Sequence, residues 1–162
     1  MEWPQRWPNF LQQVFQIGNN SDTVVVSLTI LQMLSEEISS MGGENSRDKD
    51  DIPEDRKEVL YHSMLSVVDD LLKFLLGILT SLHDGYFESL FSKLQSQQTD
   101  DSQFKGFCEI ATFALDCLNH VLSWVSPIEN YLLSHSNLFP CIVNYVKVYF
   151  NLLYSTSGNY GM

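Results

Sequence analysis

The sequence predicts an all-α fold in which antiparallel helix pairs stack into an α-α superhelix. Three observations predict it. Apolar residues recur at spacings of three and four along several long segments. No stretch pairs with another as alternating strands, although the run Val24-Val25-Val26 is β-prone in isolation. Short polar turns and prolines or glycines at segment ends separate the runs, as helix stops do. The chain has 162 residues, room for one domain with a core. Hydrophobic residues make up 44% and charged residues 18%, which places it with globular rather than disordered chains.

The first helix is expected from about Pro8 to Ile17, with Trp7, Phe10, Leu11, Val14 and Phe15 at helical spacing. Pro4 and Pro8 each follow a tryptophan, and proline suits a first helical turn because its missing N–H costs nothing there. Gly18 reads as a helix stop and Asn19-Asn20-Ser21 as a polar turn. A second helix runs from about Asp22 to Ser39 on the stripe Val24, Leu28, Leu31, Leu34 and Ile38. Four turns of stripe favour helix over strand at the valine run, since strands usually span five or six residues.

Residues 40 to 52, with Gly42-Gly43 and mixed charges, read as a flexible loop. A third helix opens at Ile52-Pro53-Glu54 and carries Leu60, Met64, Val68, Leu71, Leu75, Leu79 and Leu82 to about His83. Gly85 marks a break or kink, and Tyr86 to Leu94 a further short helix. Gln95 to Gln103 reads as a second loop. A fourth helix from about Ser102 to Trp124 uses Phe104, Cys108, Ala111, Leu115, Leu118 and Leu122, and Pro127 stops it. A short helix follows from Ile128 to about Leu133. The last runs from Leu138 to Tyr154 on Ile142, Tyr145, Val146, Tyr149, Leu152 and Leu153, with Pro140 in its first turn. The tail 155 to 162 reads as frayed. Helices of this length joined by short turns suit α-solenoids, and HEAT-type repeats of ~40–47 residues are often too degenerate to show as a sequence repeat.

Twenty acidic residues against nine basic ones give a net charge of −11. A polyanion repels phosphate, so no direct nucleic-acid binding is expected from this segment, whereas a basic protein partner would be steered toward it. Three cysteines with no CxxC pair, Cys108, Cys117 and Cys141, suggest reduced thiols in a reducing compartment. The residues after Met1 lack a basic and apolar leader pattern, so no secretory signal is expected. Asn19-Asn20-Ser21 fits the N-glycosylation pattern but reads as a turn. The most apolar stretches, 67 to 82 and 138 to 153, both carry charges and are not expected to insert in a membrane.

No constellation points to catalysis. Glu36-Glu37 and Asp69-Asp70 are sequence neighbours, which diverge by about 100° on a helix and do not flank one bond. Cys117 and His120 share a helix face, but nothing completes a four-ligand metal site. Cys108 and Cys117 lie on opposite faces and cannot bridge within one helix. His62, His83 and His135 belong to no nucleophile motif, and Gly42-Gly43 lacks the remainder of any phosphate loop. Phe139, Tyr145 and Tyr149 read as packing aromatics, because a base-stacking platform needs a basic groove beside it. No enzyme activity, cofactor or metal is expected.

The opening Glu2-Trp3-Pro4-Gln5-Arg6-Trp7-Pro8-Asn9-Phe10-Leu11 resembles the E-W-P-x-x-W-P motif that opens the exportin-1-like region of exportins, in the importin-β (karyopherin-β) superfamily. Ile30 to Ile38, ending Leu34-Ser35-Glu36-Glu37-Ile38, resembles the family's second helix, and Leu122-Ser123-Trp124-Val125-Ser126 its aliphatic–x–W–[VI] turn. Pro53 to Leu79, with Phe74-Leu75-Leu76-Gly77-Ile78-Leu79, resembles the branch that exports pre-microRNA hairpins, exportin five, called Hasty in plants. The Leu-Ser-Glu-Glu-Ile stretch is more similar to the exportin of leucine-rich protein signals, and a generic HEAT-type scaffold is the alternative outside transport. The matches span nearly the whole chain, while the stretch 95 to 104 and the acidic insert are longer than the branch pattern.

The resemblance implies a superhelical receptor that binds Ran–GTP and cargo together in the nucleus and releases both on GTP hydrolysis in the cytoplasm. It implies nucleoporins as further partners and a shuttling location in nucleus and cytoplasm. Cargo, a small structured RNA or a protein, would be held by the full-length receptor. Trp3, Pro4, Trp7, Pro8 and Trp124 are expected to pack and cap rather than to contact partners. A full exportin is several times this length, so a fragment is expected, and its unpaired repeat faces should make it self-associate.

Overall fold

The computed structural model describes residues 5–41, 54–90, 101–125 and 128–157. Among these residues there are seven α-helices and no strand: α1 (Phe10–Gly18), α2 (Val24–Met41), α3 (Glu54–Leu65), α4 (Val68–Leu82), α5 (Asp101–Trp124), α6 (Ile128–Ser134) and α7 (Leu138–Ser157). A π-helical turn, His83–Phe87, extends α4, and helical residues continue to Leu90. The all-α expectation is met, and the valine run at 24–26 is helical.

The α1–α2 connection is built by the polar residues between them. The Asp22 N–H donates to Asn20 Oδ1 at 3.0 Å, a local turn that asparagine favours. The Thr23 hydroxyl donates to the Ile17 carbonyl at 2.6 Å, satisfying one of the orphan acceptors at the end of α1. Ser27 then donates to the Val14 carbonyl at 2.7 Å. The contacts 17 to 23 and 14 to 27 run in opposite senses, so α1 and α2 are antiparallel.

The single third helix expected from residue 52 to 83 is two helices. Ser66 and Val67 form a turn between α3 and α4. Ser63 and Ser66 donate their hydroxyls to the carbonyls of Val59 and Ser63, both at 2.7 Å, and the Val67 N–H reaches only Met64. Such side-chain bonds compete with the helix ladder and bend it. The break is silent in the apolar period because Leu60, Met64, Val68 and Leu71 stay buried across it. Residues 40–41, read as loop, close α2; α5 opens at Asp101, one residue before the helix expected from about Ser102; and residues 155–157, read as frayed tail, close α7. Residues 42–52, 95–100 and 158–162 of the expected loops and tail lie outside the described residues, as does Pro127.

Stacking follows two layers. The α3–α4 segment and α5 are antiparallel: Tyr61 of α3 meets the Trp124 ring at 6.1 Å, while Tyr86, just past α4, meets Phe107 at 4.3 Å. Helices of like position run in the same sense. Phe15 of α1 packs on Phe74 of α4 at 5.0 Å, and the Cys117 thiol of α5 donates to the Leu28 carbonyl of α2 at 3.2 Å. Thus α1, α4 and α7 form one layer and α2 and α5 the other, with the most extensive packing between α2 and α5, then α4 and α5. This is the helix-pair superhelix the sequence predicts.

Two expected stripes are rotated. On α5 the buried residues are Ala111, Ala114, Cys117, Leu118, Val121 and then Val125, while Phe104, Cys108, Leu115 and Leu122 are only half-buried. On α7 the buried residues are Leu138, Cys141, Tyr145 and Val148, whereas Val146 and Tyr149 are exposed.

Candidate interaction surfaces

The described part of the tryptophan–proline motif packs locally. Trp7 is half exposed; its ring lies 5.0 Å from Phe10 and its Nε1 donates to Gln13 Oε1 at 3.0 Å. Pro8 sits in the exposed turn before α1 rather than in its first helical turn. Trp3 and Pro4 lie outside the described residues. Trp124 is half-buried against Tyr61, and its Nε1 is enclosed with no hydrogen-bond partner among the described residues.

A cleft of about 520 Å³ opens between the α1–α2 turn, α4 and α5, and Phe74, Gly77, Ile78 and Phe107 line its apolar wall. Lys73 at its edge is drawn toward Asp70 at 3.7 Å, one turn away on the same helix. No acid–base pair converges on this cleft, so it suits an apolar side chain rather than bond chemistry.

A smaller recess of about 180 Å³ brings Cys141 of α7 beside Thr80, His83 and Asp84 at the end of α4. His83 Nδ1 lies 2.9 Å from Asp84 Oδ1. Burial pushes the Cys141 thiol up, Asp84 adds to the rise, and a side-chain hydrogen bond with Thr80 opposes it. A nucleophilic cysteine needs the opposite shift. Among the described residues no three His, Cys, Asp or Glu side chains come together as metal ligands. Cys117 and His120 do not cooperate either: Cys117 is fully buried, while His120 turns to Glu36 on α2 at 3.6 Å.

The three thiols are free. Cys117 is pushed up to about 12, first by burial and then by the charges of Asp116 and Glu36. The folded chain therefore keeps this proton after the unfolded chain has lost it. The associated stability is present in full below the ordinary thiol value of 9.0 and is lost as pH rises from there toward 12. The expected contribution of Cys117 is a drop in stability of about 1 kcal/mol between pH 9 and 10, by which Cys117→Ala should flatten the melting-temperature profile while the raised Cys108 and Cys141 thiols keep part of the slope.

Two contacts seat α7 on α4. Tyr145 Oη donates to the Leu79 carbonyl at 2.8 Å, and burial pushes the phenol up from its ordinary range. His135, buried just before α7, places Nε2 at 2.8 Å from Asp69 Oδ1 in the first turn of α4. Neither partner could be paired from sequence spacing, since each contact spans 66 positions. Tyr145→Phe is expected to cost about 1–2 kcal/mol in thermal unfolding, because it leaves a buried carbonyl acceptor unpaired at unchanged ring packing.

The family model described as exportin 1-like protein matches residues 1–153. The chain belongs to the exportin 1-like family. Two frog proteins (Xenopus laevis), exportin-6-B and exportin-6-A, are each 24% identical over 147 positions, covering 76% of this chain and 12% of their own length. Mouse (Mus musculus) exportin-5 is 26% identical over 131 positions, covering 77% of this chain and 9% of its own. This exportin 1-like chain therefore spans about a tenth of the curated relatives it matches. Exportin-5 stands among those relatives, as the resemblance implied, with exportin-6 beside it. No solved structure matches. Among the described residues no helix is long and apolar enough to cross a membrane.

Proposed function

We propose that this exportin 1-like chain acts as a section of a nuclear export receptor, contributing stacked helix pairs to the surface that grips Ran–GTP. The observation that carries the reading is the family match over residues 1–153 of a chain folded as successive helix pairs. Stacked pairs offer a large surface built from local contacts, which is what a receptor that binds two macromolecules needs. The acidic excess supports a basic partner: Glu36 on α2 and Asp116 on α5 are exposed on the same layer. Complementary charge of this kind raises the encounter rate and fades with salt.

In this reading the receptor performs no bond chemistry. Ran–GTP and cargo assist each other's binding through a coupling free energy between two sites. The cargo is a small structured RNA such as a pre-microRNA hairpin, and nucleoporins are met during shuttling between nucleus and cytoplasm. This choice of cargo rests on the resemblance of residues 53–79 to the exportin-five branch; leucine-rich-signal protein cargo is the alternative. The test is a pull-down of the chain with Ran loaded with GTP and, separately, with GDP, with circular dichroism on the same sample. Retention of the GTP form alone, weakened by added salt, supports the reading. A helical, folded chain that retains neither form overturns it for this section.

A further inference from the structure

The recess between α4 and α7 is lined by polar side chains from both helices. Thr80, His83 and Asp84 come from the end of α4 and its π-helical turn, and Asn137 and Asn144 from the start of α7, with Pro140 as an apolar wall. Its volume of about 180 Å³ holds about six waters, or one long side chain. Helices packed for stability alone would fill such a space with apolar side chains. A repeat touches only its neighbours, so helices stacked beyond α7 would lie on its other side and leave this recess as it is.

Two facts select the ligand. The first is charge. Asp84 supplies a carboxylate to the recess, its side chain 64% exposed. Its field reaches inward, since it is among the causes that push the buried Cys141 thiol and the Tyr145 phenol up. Among the described residues it pairs with His83 Nδ1, at 2.9 Å, and with no lysine or arginine. A carboxylate accepts at about four positions, so this contact leaves capacity unused. The second is the acceptor set. The Asp84 carboxylate, the Thr80 hydroxyl and the Asn137 and Asn144 amides surround one small volume. An anion would meet a negative charge there, and an apolar group would leave the polar groups unpaired. A guanidinium carries five donors in a planar fork and no acceptor, and its aliphatic stem can lie along Pro140. Turns of the π type also occur frequently at functional sites, and this one sets His83 and Asp84 on the recess wall.

We propose that this recess docks one arginine side chain of a protein partner, held by Asp84 and the Asn137 and Asn144 amides. It lies on the layer of α1, α4 and α7, whereas the Glu36 and Asp116 carboxylates lie on the layer of α2 and α5. The inference therefore does not rest on Ran binding.

Titration of the isotope-labelled chain with the blocked peptide Gly-Arg-Gly, followed by NMR, tests it. Amide signals of residues 80–84 and 137–144 should shift and saturate, with a Kd on the order of 1 mM for a single side chain. The blocked peptides Gly-Lys-Gly and Gly-Gln-Gly should bind about tenfold more weakly or not at all, because neither presents the planar fork. Asp84→Asn should weaken the arginine peptide about tenfold at unchanged helical circular dichroism, the loss of one charge-assisted contact. Asp116→Asn, on the other layer, should leave its binding unchanged. Shifts that never saturate, or that spread over carboxylates throughout the chain, overturn the proposal. So does an equal response to the lysine peptide, which would show attraction of charge alone, or an Asp84→Asn chain that binds arginine as before.

Discussion

Phe87→Ala is expected to lower stability by about 3–5 kcal/mol, the usual cost of emptying a buried aromatic site. Phe87 is 2% exposed and sits in the π-helical turn at the end of α4. That turn adds one residue to the helical ladder and contains Gly85, where the sequence predicts a break or kink. Its effect is to bury two consecutive rings. Tyr86 faces Phe107 of α5 at 4.3 Å, and Phe87 faces Tyr145 of α7 at 5.9 Å. Truncating Phe87 opens a cavity where α4 meets α7. The melting temperature should fall on the order of 10 °C in a calorimetric scan, given the entropy of unfolding of a chain this size. Hydrogen exchange should show α7 losing protection ahead of α2 and α5. A drop of only a degree or two would mean that neighbouring side chains refill the site.

Glycine to alanine is expected to act in opposite directions at two positions. An added Cβ at Gly18 would lie 2.3 Å from Phe74 Cζ and 2.7 Å from Ser27 Oγ. Ser27 is fully buried and bonded to the Val14 carbonyl, and Phe74 is already packed on Phe15, so both neighbours resist displacement. Gly18→Ala should cost about 1–3 kcal/mol, the range for overpacking. At Gly77, inside α4, an added Cβ meets nothing within 4 Å. Gly77→Ala should stabilise by about 0.5–1 kcal/mol, because alanine loses less backbone freedom in a helix. Paired denaturant titrations of the two variants decide the matter. Equal shifts of the same sign would show that helix propensity, not the close approach of α1 to α4, governs Gly18.

The physical reason Gly18 is glycine was not legible in its position at a helix end. The sequence reads it as a stop, yet it is the last residue of α1, and its role is to let Phe74 come near. The same division runs through the chain. Local pattern determined that the fold is all-α and placed most helix boundaries, because apolar period and turn chemistry act over a few residues. The motif residues 2–11, with the matches at 30–38 and 122–126, pointed to the family. The break at Ser66-Val67 escaped because the buried stripe continues through it, and periodicity reports burial rather than backbone continuity.

Which side of a helix faces the core was decided only by tertiary packing. On α5 and α7 apolar residues surround much of the helix, so period alone offers several faces. Packing on α2 chose Ala114, Cys117 and Val121 over Phe104 and Leu122, since small residues let the helices approach. Packing on α4 chose Tyr145, whose hydroxyl finds the Leu79 carbonyl, and left Phe139 and Tyr149 outside. Contacts that join residues 66 positions apart, such as Asp69 with His135, depend on how helices are laid side by side. The sequence by itself thus determined the helices and the family. The tertiary structure decided the faces, because a helix can bury only the side that a neighbour covers.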